Sequence, residues 1–167
     1  MTKHIRINGQ RLWDSLMVMA EIGATERGGC NRQALTDEDK LGRDLFANWC
    51  REAGCTVSVD EMGNMFARRP GSNTDAPPVI TGSHLDTQPT GGKFDGVYGV
   101  LAGLEVLRTL EDAGIETDAP LEVVVWTNEE GARFAPAMVG SGVWASEMQR
   151  DEVYAIEDKA GKRFGEE

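Results

Sequence analysis

The 167-residue sequence is poor in cysteine and histidine, with three of the first and two of the second. Cys30, Cys50 and Cys55 are odd in number and form no C-x-x-C pair, which argues against a disulfide framework and against a cysteine-based zinc knuckle. Three reduced, partly buried thiols are expected instead, as in a cytosolic protein. Long apolar runs are also missing. No window approaches the ~18 consecutive apolar residues of a membrane span, and Met1-Thr2-Lys3-His4-Ile5-Arg6 has no apolar stretch of the secretory kind. A cytoplasmic location is expected. Positive charge is scarce too: the formal net charge of −11 disfavours nucleic acid and anionic membrane surfaces as partners. It does not disfavour cations, which carboxylates grouped at one site would attract.

What is present is a 40% hydrophobic, 27% charged composition, enough for one globular domain with a sizeable core. Helical spacing over Asn8 to Ile22 places Leu12, Leu16, Met19 and Ile22 on one face, with Trp13 and Met17 read as core neighbours and Asn8 as an N-cap. Residues 26–32 read as a loop. Thr36 caps the next helix and Asp39 completes a capping-box-like arrangement, with Leu41, Leu45, Phe46 and Trp49 as its apolar face and Ala53-Gly54 as its end. Two short strands are predicted around Val57–Val59 and Met65–Ala67, flanking Asp60-Glu61-Met62-Gly63-Asn64.

The apolar runs Pro78–Thr81 and Leu121–Thr127 read as buried strands, joined through a long apolar helix from Gly96 to Ala113. Strand, helix, strand in this order predicts a βαβ unit and a mostly parallel, covered sheet, an α/β fold. A further helix is predicted over roughly 140–148. The charged stretch 151–167 carries no assignment.

Chemistry-bearing residues gather at the ends of the two strands. His84 and Asp86 follow the first; residues i and i+2 of an extended backbone share a face, so Asp86 is placed to accept an imidazole proton and leave the other nitrogen for a metal. Asp95 lies in the glycine-rich turn before the long helix, and Glu129-Glu130 close the second strand. Each has an ordinary alternative: a satisfied polar histidine, an N-cap aspartate, a pair of solvated glutamates. Their convergence on the carboxyl edge of one parallel sheet favours a metal site over five separate accidents.

The run Gly82-Ser83-His84-Leu85-Asp86-Thr87-Gln88-Pro89-Thr90-Gly91-Gly92-Lys93-Phe94-Asp95-Gly96-Val97-Tyr98-Gly99-Val100 resembles the signature of the N-carbamoyl-L-amino-acid hydrolase, allantoate amidohydrolase and β-ureidopropionase group, aminoacylase-like co-catalytic metallohydrolases. Asn128-Glu129-Glu130-Gly131-Ala132-Arg133-Phe134 is similar to that group's second motif, and Leu35–Lys40 and Asp60–Asn64 to its N-terminal region. The resemblance implies a three-layer zinc-hydrolase-like domain with a mostly parallel mixed sheet. It implies two divalent ions, Zn²⁺ or Mn²⁺: His84 on the first, Glu130 on the second, Asp95 bridging both, Glu129 as general base and Asp86 orienting His84. The implied substrate is a small N-carbamoyl or ureido compound, and the implied assembly a homodimer.

Members of that group are more than twice this length. They carry two further histidine ligands and a smaller dimerisation (lid) domain beyond the matched region. Residues 1–167 are therefore expected to be the N-terminal part of the metal-binding catalytic domain, without the lid domain and inactive alone. His4, in a polar segment, has no plausible ligand neighbours. The alternatives are a catalytically dead half-module that binds a complementary half or holds metal weakly, and a peptidase or aminoacylase of the same superfamily. An unpaired sheet edge and an uncovered apolar face are expected.

Overall fold

The structure, a computed structural model, describes residues 5–167; His4 lies outside them. In chain order the elements are α1 (Gly9–Glu21), α2 (Asp37–Glu52), β1 (Thr56–Val59), β2 (Met65–Arg69), β3 (Val79–His84), α3 (Val97–Asp112), β4 (Leu121–Trp126), α4 (Val139–Trp144) and α5 (Arg150–Tyr154), followed by a 3₁₀ turn at Phe164–Glu166. None of these helices is long and apolar enough to cross a membrane.

The two N-terminal helices start where their capping residues dictate. The Asn8 side chain accepts the Arg11 N–H at 3.0 Å, and Thr36 Oγ1 accepts the Asp39 N–H at 3.3 Å while Asp39 Oδ2 accepts the Leu35 N–H at 2.9 Å. Their apolar faces meet α3 and one face of the sheet. Leu12, Leu16 and Met19 of α1, Phe46 and Cys50 of α2, and Val100, Leu101 and Leu104 of α3 form one core with Met65, Ala67, Val123 and Val125. The three cysteines are free and buried, as expected, and burial pushes the Cys50 and Cys55 thiols up.

The sheet is a single mixed one in the order β1-β2-β4-β3. Its parallel character lies in the β3–β4 pair, the product of the βαβ unit; β1–β2 and β2–β4 are antiparallel. A five-residue turn forces the first antiparallel pairing, since adjacent strands so connected can only fold back on one another. Helices α1, α2 and α3 cover one face. The other carries Phe66 edge-to-face against Trp126 at 6.1 Å, and Trp126 against Trp144 of α4 at 5.3 Å.

Three placements differ from those expected. β3 is not a buried strand but an edge: Val79 is 60% and Ile80 38% exposed. Trp13 is half exposed and packs on Phe94, with ring centroids 5.9 Å apart, and Leu41 points to solvent. Helical spacing marks a face but not how far that face extends under its neighbours. The C-terminal stretch, although charged, is docked. Val153 and Phe164 join Met62, Phe134 and Val139 in a second core, and Arg133 ties it down through ion pairs to Asp158 and Glu167.

Glu105 fastens α3 to the start of α1. Its buried carboxylate receives the Arg11 guanidinium at 2.8 and 2.9 Å, the Asn8 N–H at 2.9 Å and the Thr109 hydroxyl at 3.1 Å. Burial works against the charge, but Arg11 and the other donors outweigh it and hold the carboxyl below the usual glutamate range. A lowered folded-state pKa means that this stabilisation is complete at neutral pH and is lost as pH falls through that pKa. Glu105→Ala is expected to cost about 3 kcal/mol at pH 7, the scale of breaking a buried ion pair. The gap from the parent should narrow below about pH 4 in urea titrations. A gap unchanged from pH 7 to pH 3 would contradict the charged role.

Candidate metal centre

Parallel pairing of β3 with β4 sets His84 beside Trp126, so the segments that follow both strands leave the sheet at one edge. His84, Asp95 and Glu130 converge there, with one ligating atom from each lying within 4.8 Å of the others. His84 is buried, Glu130 half-buried and Asp95 exposed. Asp95 is not the helix cap. That position belongs to Gly96, at φ +67°, and no side chain caps α3. The Asp95 carboxylate is thereby free to face the other two residues.

Gly96 is required by space as well as by its backbone. A Cβ there would stand 2.5 Å from His84 Nδ1 and Nε2, inside the imidazole. Gly96→Ala is therefore expected to displace the ring and weaken divalent-metal binding by at least about tenfold, the lower end for disturbing a ligand's support. Gly114→Ala, at φ +59° with nothing within 4 Å of the new Cβ, is the matched control for backbone strain. Equal metal affinity in the two variants, measured by titration calorimetry, would contradict this steric account.

The surroundings of His84 differ from the sequence expectation in one respect. Its Nδ1 contacts the backbone carbonyl of Asp86 at 2.8 Å, whereas the nearer Asp86 carboxylate oxygen is 3.9 Å away. A carbonyl only accepts, so Nδ1 carries the proton and Nε2 keeps the free lone pair. Asp86 thus orients the ring through its main chain. Its carboxylate instead accepts the Glu129 and Glu130 N–H groups at 3.3 and 3.2 Å, fixing the second acidic segment against the first. Burial, reinforced by the Asp39 charge, pushes the Asp86 carboxyl up to about 6 against the opposing pull of His84 and the two N–H groups.

Glu129 Oε2 lies 3.3 Å from His84 Nε2. With Nδ1 already donating, a neutral ring would turn its lone pair toward that carboxylate, which is unfavourable. A positive charge between or upon these atoms relieves the conflict. A divalent cation held by His84, Asp95 and Glu130 would supply that charge beside Glu129, and imidazole with carboxylates suits Zn²⁺ or Mn²⁺.

Two contacts escaped the sequence reading. Gln88 Nε2 donates to Glu130 Oε2 at 2.8 Å, holding the carboxylate from the opposite loop; its position four residues after His84 was the available signal. Asn64, fully buried, accepts the Thr127 N–H at 3.0 Å and donates to Gly140 O at 3.0 Å, which anchors the end of β4 just before the acidic pair. A buried asparagine in a turn gives no such signal in sequence.

Comparison with known proteins matches residues 80–165 to Peptidase family M20/M25/M40. An N-carbamoyl-L-amino-acid amidohydrolase from Rhizobium meliloti is 61% identical over 162 residues, 97% of this chain and 39% of that protein. One from Geobacillus stearothermophilus is 46% identical over 142 residues, 85% of this chain and 35% of that protein. The crystal structure of a hydantoinase/carbamoylase family amidase from Burkholderia ambifaria superposes with a TM-score of 0.96 at 65% identity, over 97% of this chain and 40% of that one. The chain thus spans about two fifths of the length of these relatives.

Proposed function

Because the chain belongs to Peptidase family M20/M25/M40, we propose that it forms the metal-binding part of an amidohydrolase cleaving a linear, non-peptide C–N bond in an N-carbamoyl-L-amino acid, a ureido acid or allantoate. The observation that carries this reading is the grouping of His84, Asp95 and Glu130, with Glu129 facing His84 across 3.3 Å. The similarity to N-carbamoyl-L-amino-acid amidohydrolases of Rhizobium meliloti and Geobacillus stearothermophilus supports the substrate class.

Bound divalent cations would supply the positive charge that acidifies a water and polarises the scissile carbonyl. Through Nε2, His84 would hold the first ion; Glu130, steadied by Gln88, the second; and Asp95 both. Glu129 would take the proton of the attacking water and return it to the departing nitrogen. Neighbouring Glu129 and Glu130 can divide these tasks because Asp86 pins both of their N–H groups and leaves their side chains to diverge.

The test joins residues 1–167 to the remaining length of a similar relative and compares N-carbamoyl-L-amino acids, allantoate and dipeptides as substrates, with Zn²⁺ or Mn²⁺ added. Ammonia release from the carbamoyl or ureido compounds, lost in Glu129→Gln, is the expected result. Preferential dipeptide cleavage would replace this reading with a peptidase.

A further inference from the structure

Arg32 is fully buried, and no carboxylate lies within ion-pair distance of it among the described residues. An uncompensated interior charge is costly, and buried arginines are normally paired. Arg32 instead spends its donors on main chain. Its Nε donates to Leu85 O at 2.8 Å, and Nη1 donates to Ile22 O at 2.7 Å and Met19 O at 3.3 Å and contacts Cys30 Sγ at 3.2 Å. Nη2 has no hydrogen-bond partner among the described residues. The Arg32 main chain makes two more bonds: its N–H donates to Thr87 Oγ1 at 2.8 Å, and its carbonyl accepts the Thr87 N–H at 2.9 Å.

These bonds bracket a single residue. Leu85 and Thr87, on either side of Asp86, are both tied to Arg32, so the two peptide units flanking Asp86 are fixed from one point. Asp86 in turn holds the metal centre together, its carbonyl setting the His84 tautomer and its carboxylate gripping the Glu129 and Glu130 N–H groups. We propose that Arg32 is the positioning residue of the centre: by locking the Leu85–Thr87 main chain it aims the Asp86 carbonyl at His84 Nδ1 and so presents Nε2 for metal. This rests on the proposed function only in taking His84 as a ligand.

The chain's two histidines make the experiment direct, because His84 imidazole signals are readily separated from those of His4 in nitrogen-resolved NMR of the metal-free chain. The parent is expected to show the Nδ1–H tautomer with a slowly exchanging Nδ1 proton. Arg32→Lys keeps charge but cannot span Leu85 O and Ile22 O together. Thr87→Val removes the hydroxyl acceptor and is the milder variant should Arg32→Lys not fold. Both should speed exchange of that proton by about tenfold, the scale of losing one hydrogen bond, and weaken Zn²⁺ or Mn²⁺ binding by about 10–100-fold.

Arg69→Lys is the control. Arg69 is another buried arginine, bonded to Ile115 O at 2.7 Å and remote from the centre, so its loss should lower stability and leave the His84 signals alone. Parent-like tautomer and exchange in the foldable Arg32 and Thr87 variants would overturn the proposal and leave Arg32 as a structural residue only. Altered His84 signals in a chain whose parent binds no cation would uphold the positioning role and overturn the metal centre instead.

Discussion

Asp95→Ala is expected to empty the metal centre, whereas Glu129→Ala keeps its metal and loses turnover. Asp95 contributes one of three grouped donors and, as the proposed bridge, would serve both ions. Its loss should cost more than the about 10–100-fold that follows from removing a group which merely supports a ligand. The backbone of the region should survive, because Asp95 caps nothing: Gly96 holds the cap position without a side-chain bond, and the Val97 N–H is received by the Asp95 carbonyl, which alanine retains. Glu129 stands differently. Its side chain meets the centre at His84 Nε2, and its N–H bond to Asp86 also survives in alanine. In the joined enzyme, Glu129→Ala should lower kcat by about 10²–10⁴-fold, the usual worth of a general base. Elemental analysis of the purified variants decides the matter. Metal retained by Asp95→Ala and stripped from Glu129→Ala would reverse the assigned roles.

The contrast between those two residues was only partly legible in the sequence. Strand ends and helix starts could be read because each carries a local cause: Asn8 and Thr36 cap, and alternating or helical spacing marks the rest. The convergence of His84, Asp95, Glu129 and Glu130 followed from the βαβ order alone, since parallel strands deliver their following loops to one edge. What could not be read depends on distant packing. The apolar run that became β3 looks the same whether a strand has one neighbour or two, so its exposure was invisible. Residues Met62, Phe134, Val139, Val153 and Phe164 share no period, and the second core they form appears only once the chain has turned back on itself. Asp86 illustrates the same limit at the site. Its i+2 spacing from His84 points to a contact between the two, but the imidazole meets the Asp86 carbonyl, because the Glu129 and Glu130 N–H groups compete for the carboxylate. Arg32 gave no sign, because arginine in a glycine-rich loop ordinarily faces water.

The 167 residues alone are expected to release no ammonia from N-carbamoyl-L-amino acids or allantoate above the metal-only background. Three grouped residues would have to serve two ions, giving His84 and Asp95 to one and Asp95 and Glu130 to the other. Catalytic zinc normally takes three protein ligands together with water, and His84 is the one histidine among the described residues. Ions so thinly held bind weakly, and without both of them a water is not acidic enough to yield its proton to Glu129 at neutral pH. Excess metal is not expected to repair this, since occupancy without further donors leaves geometry and charge unset. Mixing the chain with a separate polypeptide covering the remaining length of a similar relative should restore turnover to the extent that the two associate, and the exposed β3 edge offers unpaired main-chain groups for that association. Robust turnover by the chain alone, abolished by His84→Ala, would mean that these 167 residues supply donors beyond His84, Asp95 and Glu130, for example by pairing the centres of two copies.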